Sequence, residues 1–397
     1  EQHYASISKA VGDDVPVILL TGGMKLAARR KALAQTASGE PCIVVSTHAA
    51  FSKTFQAPRL ALAVIDEQHR FGVEQRDMLR AKSDCNPHLL VMTATPIPRT
   101  AAMTWFGDLD ISWLTELPGG RKPIRTFVIP EADAALVGRM FWHVRKRIDA
   151  GERAYVVCAR IDADESEQAA DGPDGAVDVL LDDDALGESA EPRPPLHSVS
   201  EIAERLAALP QFAGIDLCTL TGRDDDATKQ SVMADFASGK TPLMVATTVI
   251  EVGVDVPQAS CIVIFDADRY GLSQLHQLRG RVGRGGTDSW AFLVSRAEDA
   301  SIAEERLKVI EGSLDGALIA QKDLELRGAG DVLGDAQSGG KSSLKLLRVM
   351  QDAKMIEAAR SQSEALLAKD PELKGHVQLA GAVLDFTRGN EKFLTSN

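Results

Sequence analysis

Ala61-Leu62-Ala63-Val64-Ile65-Asp66-Glu67-Gln68-His69 is the stretch that decides the fold. Five apolar residues in a row, closed by an acidic pair, read as a strand buried on both faces with polar chemistry at its carboxyl end. Working outward, equally apolar short runs recur at 15–20, 42–46, 89–93, 125–129, 154–159, 215–220, 243–247, 260–265 and 290–294. Strands of this kind, alternating with helical stretches, predict parallel α/β sheets covered on both faces. Pro118-Gly119-Gly120 interrupts the alternation and predicts two lobes. The expected division is 1–118 and 119–311, each built on a parallel sheet, and a helical appendage at 312–397.

Composition limits what such a chain can be. At 397 residues it exceeds one ordinary domain, and 44% hydrophobic with 25% charged residues excludes wholesale disorder. No apolar run approaches the roughly 18 residues of a membrane span, and Glu1-Gln2-His3-Tyr4 lacks signal character, so the chain reads as cytoplasmic. It opens without methionine and with helix-like sequence, which suggests part of something longer. A formal charge of -13 speaks against a nucleic-acid partner only if the acids are evenly spread. Twelve Asp and Glu lie between Asp162 and Glu191 without a single Lys or Arg, so the remainder carries -13 + 12 = -1. Residues 162–198, with this acid run and Pro192-Arg193-Pro194-Pro195, are expected to be a disordered, dispensable insertion in the second lobe. The five cysteines form no C-x-x-C pair and read as reduced thiols.

In an open parallel sheet ligands sit outside the carboxyl ends of strands. Asp66 could hold Mg²⁺ through its waters while Glu67 orients or deprotonates an attacking water. The plainer alternative is that Asp66 caps the next helix. After the following strand come Thr93-Ala94-Thr95-Pro96, small hydroxyl residues able to relay the state of a nucleotide. In the second lobe Val245-Ala246-Thr247-Thr248 leads into Glu251-Val252-Gly253-Val254-Asp255, and Gln277-Leu278-Arg279-Gly280-Arg281-Val282-Gly283-Arg284 follows. Arg281 and Arg284, three apart, are expected on one side of a helix, where guanidinium forks clamp phosphate oxygens. Gly280 and Gly283 weaken a helix and permit close approach of a ligand or another backbone.

Together these stretches resemble the superfamily 2 helicases and translocases, and within them the RecG family of branched-DNA helicases. The 66–69 box is similar to helicase motif II, 93–95 to motif III, 247–255 to motif V and 277–284 to motif VI. The flanks Arg70-Phe71-Gly72-Val73, Ile97-Pro98-Arg99-Thr100 and Gln274-Leu275-His276 narrow the match to RecG. The resemblance implies two RecA-like lobes, the first truncated, followed by a small helical hairpin and a C-terminal helical tail. It implies ATP and Mg²⁺, with Asp66 on the metal and Glu67 as catalytic base. Arg281, Arg284 and Gln277 would serve the γ-phosphate, and Gly253 and Asp255 would border the nucleotide. Gln68 and His69 would couple hydrolysis to movement, and Ser46, Thr47, His48, Thr93, Thr95 and Thr247 would lie toward DNA. Ala320 to Gly328 and Gly334 to Gly339 are similar to the translocation motif that RecG shares with Mfd, with Arg327 and Gln337 as its working polar residues.

One departure matters. A G-x-x-x-x-G-K-[ST] phosphate loop is missing, and Gly334 to Ser342 is one residue too long and follows no strand. The expectation is a partial motor, inactive alone, from a parent that is monomeric on branched DNA; the incomplete first lobe could self-associate through exposed strand edges. An Mfd-like translocase, or a non-catalytic DNA- or protein-binding scaffold, are the alternatives.

Overall fold

The computed structural model describes residues 2–66, 78–79, 82–83, 87–93, 112, 114, 121–162, 194–251, 256–298, 300–327 and 353–387. The chain divides into two compact units, Glu1–Ala94 with Asp370–Asn397, and Thr95–Lys369. The appendage expected at 312–397 is thereby shared between the two units.

In the first unit α1 (Gln2–Val11), β1 (Val17–Leu20), α2 (Leu26–Ala37), β2 (Ile43–Ser46), β3 (Leu62–Ile65) and β4 (His88–Val91) follow one another. β1 pairs in parallel with β2, and β3 with β4, as two separate two-stranded sheets. Ile18, Leu20, Ala32 and Phe55 make a small core. β3 and β4 stay open on one face, where Leu62, Val64, Leu90 and Met92 are exposed.

The second unit holds β5 (Ile124–Pro130), α3 (Ala134–Asp149), β6 (Arg153–Val157), α4 (Val199–Ala208), β7 (Leu217–Leu220), α5 (Asp226–Ser238), β8 (Leu243–Ala246) and β9 (Ala259–Ile264). After these come α6 (Leu272–Arg279), β10 (Ser289–Ser295), α7 (Ile302–Gly312), α8 (Gly316–Arg327) and α9 (Ala353–Lys369), while α10 (Val377–Thr387) belongs to the first unit. Six parallel strands are ordered β5-β10-β9-β6-β8-β7. All ten expected strands are present, and every pairing among them is parallel.

The central strands β6, β8 and β9 are apolar except at Arg153 and Ser260, because helices cover both faces. On one face Met140, Phe141, Val144 and Ile148 of α3 pack with Val199, Ile202 and Leu206 of α4 over Val156, Val245 and Val263. On the other, Phe236, Leu272, Leu275, Leu278, Leu307 and Ile310 cover Tyr155, Met244 and Ile262. Four helices, α3, α4, α5 and α7, begin where a short polar side chain accepts an otherwise orphaned amide: Asp133 from Ala135 and Leu136, Ser198 from Glu201, Asp225 from Thr228, and Ser301 from Glu304. Gly239 ends α5 in the left-handed region at φ 88°.

The expected insertion 162–198 needs a correction at its end. Residues 194–198 are part of the fold: Ser198 bridges to Arg160 and caps α4, and Leu196 and His197 are buried. Disorder of 163–193 lies outside the described residues.

Candidate functional site

The sheets sort the sequence-derived residues onto strand ends. In the first unit, Asp66 directly follows β3 and Thr93 lies just beyond β4. The register pairs Ile65 with Val91, and the Met92 amide donates to the Ile65 carbonyl at 2.8 Å, so Asp66 and Thr93 leave adjacent strand ends, both exposed to solvent. An exposed carboxylate at a strand end suits Mg²⁺, which takes few protein ligands and completes its shell with water and phosphate oxygens. Ser46 closes β2 and donates its hydroxyl to the Leu20 carbonyl at 2.8 Å; the Thr47 amide reaches the same carbonyl at 3.4 Å. His48 starts a short 3₁₀ turn and packs edge-on against Phe51, with ring centroids 6.2 Å apart.

In the second unit Thr247 follows β8 at the carboxyl edge, nearly buried, its amide donating to Leu220 at 3.2 Å. Arg281 and Arg284 lie at the opposite edge of the sheet. α6 ends at Arg279 with Gly280 as its cap, so the two arginines occupy a turn beyond the helix and not one helix face, as the three-residue spacing suggested. Gly283 sits in the left-handed region at φ 78° and donates to the carbonyl of Ala259, the first residue of β9. A Cβ on Gly285 would come within 2.3 Å of the Pro257 carbonyl oxygen. Close approach of backbone to backbone is thus what the glycines serve, and it fixes the arginine turn against the start of β9. Arg284 is anchored by its Nε donating to Gly280 at 3.2 Å, and Gln277 is half-buried on α6. A six-residue strand is about 20 Å long, so Thr247 and the arginines serve different edges and not one cluster.

Beneath this turn Arg279, 1% exposed, donates Nη1 to the carbonyls of Ile310 at 2.6 Å and Ser313 at 2.7 Å. Its Nη2 lies 2.9 Å from His276 Nδ1. Burial, and then the guanidinium, push the His276 pKa down to about 4, so the ring is neutral and accepts that hydrogen bond. Arg279 therefore joins the arginine-bearing segment to the end of α7, where α8 begins. Glu67, Gln68, His69, Thr95, Gly253, Asp255 and Gln337 lie outside the described residues, as does the side chain of Arg327.

Residue spacing gave no hint of a second assembly at the carboxyl edge. Glu131, Asp266 and Arg296 follow β5, β9 and β10, and His197 comes in ahead of α4. His197 contacts Asp266 through Nδ1 at 3.0 Å and Glu131 through Nε2 at 3.0 Å, and its amide donates to Asp266 at 2.7 Å. Against the cost of burial, these two carboxylates raise the His197 pKa to about 9, while the bond from His197, with help from Arg296, holds Glu131 down at about 2. Asp266 adopts φ 51°, left-handed for a non-glycine residue, held there by these bonds. The three ligand atoms could converge on a metal ion. Arg296 already stands there: its Nη2 lies 2.7 Å from His197 Nε2, its Nε donates to Glu131 at 2.5 Å, and its Nη1 is 3.7 Å from Asp266. Two cations balance two anions, and the group reads as a structural clamp.

Three family models match: the DEAD/DEAH box helicase over 1–104, the helicase conserved C-terminal domain over 196–286, and ATP-dependent DNA helicase RecG, domain 3, C-terminal, over 313–379. ATP-dependent DNA helicase RecG of Synechocystis is 41% identical over 380 residues, 96% of this chain and 42% of that protein. RecG of Mycobacterium tuberculosis is 43% identical over 349 residues, 87% of this chain and 44% of its own. The chain is homologous to the RecG helicases. It spans less than half the length of those relatives. A solved RecG bound to a three-way DNA junction superposes with a TM-score of 0.61 at 31% identity, over 90% of this chain and 42% of that one. Dbp5 from S. cerevisiae, bound to RNA and ADP BeF3, aligns with a TM-score of 0.51 at 12% identity, a likeness of fold alone. The DEAD/DEAH match carries Asp66 and Thr93, and the C-terminal helicase match ends just past the arginine turn.

Proposed function

We propose that this chain is part of an ATP-driven DNA motor of the RecG type that remodels branched DNA, in the cytoplasm. The observation that carries the reading is the pair Arg281 and Arg284, held by Gly283 and Gly285 on a rigid turn in a chain homologous to RecG along nearly its whole length. Fixed guanidinium groups stabilise charge developing on a transferring phosphoryl group because they pay no reorganisation when it forms. In this reading Arg284 and Arg281 meet the γ-phosphate of ATP, Gln277 orders the site, and Gly253 and Asp255 border the nucleotide. Glu67 takes a proton from the attacking water. Asp66 holds Mg²⁺, which supplies charge neutralisation at the phosphates. Ser46, Thr47, His48, Thr93, Thr95 and Thr247 face the DNA backbone, where hydroxyls and backbone amides suffice without a basic patch. Gln68 and His69, with Arg327 and Gln337, pass the nucleotide state to the DNA. Functionally the division is 1–118, 119–311 and 312–397, the last carrying the translocation hairpin.

The test is ATP hydrolysis stimulated by a three-way junction, compared between this chain and a version extended upstream through a phosphate-binding loop. Hydrolysis by the extended version alone, lost in Glu67→Gln, is the expected outcome. An extended version that is inert with and without DNA would overturn the motor reading in favour of a scaffold.

A further inference from the structure

One surface of the second unit carries none of the residues assigned above. Between Arg121 and Asp149 the sequence has seven Lys and Arg against three Asp and Glu, a local net of 7 - 3 = +4 in a chain of -13. Not all of these charges are available. Arg145 is bound to Asp149 and to the Gln211 and Ala213 carbonyls, Arg147 pairs with Glu152, and Lys122 with Asp288. Arg125, Arg139 and Lys146 are exposed and form no ion pair among the described residues.

Aromatic rings lie among these charges. Trp142 is 58% exposed, and its neighbours on α3 at three residues before and four after are Arg139 and Lys146. β5 is the edge strand of the sheet, and Phe127 on it is 41% exposed. Phe127 stacks on Phe292 at 5.8 Å with ring planes 19° apart. Arg125, two residues earlier and so on the same face, lies 5.9 Å over Trp290. His143 joins strand and helix by packing edge-on against Trp290 at 4.6 Å and Phe292 at 5.7 Å. Burial, with Arg147 and Lys146 nearby, keeps the His143 pKa low, so its ring acts as an apolar spacer. Two open rings on a supported shelf, flanked by three cations without acidic partners, is the composition that stacks bases and follows phosphates.

We propose that α3 and the edge strand β5 form an accessory binding surface for single-stranded nucleic acid, with Trp142 and Phe127 stacking bases and Arg125, Arg139 and Lys146 on the phosphates. Recognition is independent of sequence, because every base offers a π-face and no side chain here is arranged to read base edges. The proposal rests on the DNA-motor reading, since only a strand-handling protein has a use for such a track.

The test is binding of a fluorescein-labelled oligothymidylate of about 20 nucleotides to this chain, followed by anisotropy across a salt series. Trp142→Ala should weaken binding at least about five-fold, the low end for loss of one stacked base. Arg139→Glu with Lys146→Glu should reduce the slope of log K against log salt by about 1.4, for two phosphates at about 0.7 each. Lys240→Glu, beside the strands at the other end of the sheet, serves as the control and should change neither. Since Trp142 is exposed, its loss should leave the melting temperature in place. Patch variants that bind like the unaltered chain, or a control that weakens binding equally, overturn the proposal while leaving the motor reading intact. Failure of the unaltered chain to bind counts against both readings. Patch variants that change sedimentation but not binding assign the surface to a second copy of this chain and overturn the proposal.

Discussion

β3 and β9 are equally apolar in sequence, Leu62-Ala63-Val64-Ile65 against Ala259-Ser260-Cys261-Ile262-Val263-Ile264, yet the folded chain treats them differently. Every β9 residue is buried, between β6 and β10 and under helices on both faces. Among the described residues β3 has one strand neighbour, and Leu62 and Val64 are more than half exposed. An apolar run thus states a demand for burial, and the neighbours decide whether it is met. The demand left unmet in β3 and β4 is an open apolar face of Leu62, Val64, Leu90 and Met92.

The sharpest break in this comparison comes from truncating one side chain in each strand. Ile262→Ala should destabilise the second unit by about 3–4 kcal/mol, since the lost carbons leave a cavity between the sheet and the helices over it. Val64→Ala, at a position 53% exposed, should cost less than about 1 kcal/mol. Urea unfolding with a probe in each unit measures both; similar costs would mean that β3 is covered in solution. Next in size is Arg279→Met, which keeps the bulk and removes the donors to Ile310 and Ser313. A loss of roughly 3 kcal/mol is expected from the carbonyls left unpaired, with amides of α7 and α8 exchanging faster. Unchanged exchange there would separate the arginine turn from the helical pair.

The clamp at the carboxyl edge gives the second unit a pH signature of its own. His197, raised from 6.5 to about 9, contributes stability that is complete below pH 6.5 and lost as pH rises through 9. Glu131, lowered from 4.5 to about 2, contributes stability present above pH 4.5 and lost as pH falls through 2. The second unit should therefore be most stable between about pH 4.5 and 6.5 and lose at most about 3 kcal/mol by pH 9.5. His197→Gln should flatten the alkaline limb; a limb that persists would place the titrating group elsewhere. The smallest effect is kinetic in appearance: amide exchange in β3 and β4 should be faster than in β9, as expected for strands with few buried contacts. Equal protection would close the gap between the two regions.

Much of this was legible in the sequence. Ten strands showed as ten apolar runs because a sheet covered on both faces leaves few positions for polar residues, and β3 and β4 share that composition although one of their faces is open. The ends of the motifs were less legible. Arginine spacing suggested a continuous helix across Gln277 to Arg284, whereas Gly280 caps it and Gly283 turns the chain left-handed. The usual preference for carboxyl strand ends located Asp66, Thr93 and Thr247 but not Arg281 and Arg284, which return to the amino edge because α6 runs back across the sheet. Glu131, His197, Asp266 and Arg296 were invisible for a different reason: four remote segments meet only once strand order places β5, β10, β9 and β6 side by side. His197 was also hidden by its setting, next to an acid-rich stretch that argued for a solvated chain.

That clamp has a practical corollary. The Arg160 to Ser198 bridge, the His197 amide on Asp266 and the Pro195 carbonyl on Arg296 fasten both banks of the stretch 163–193 to the sheet. A fluorescent reporter or an affinity handle spliced between Asp162 and Pro194 would therefore stand at the carboxyl edge of the sheet, at a place both anchored ends fix.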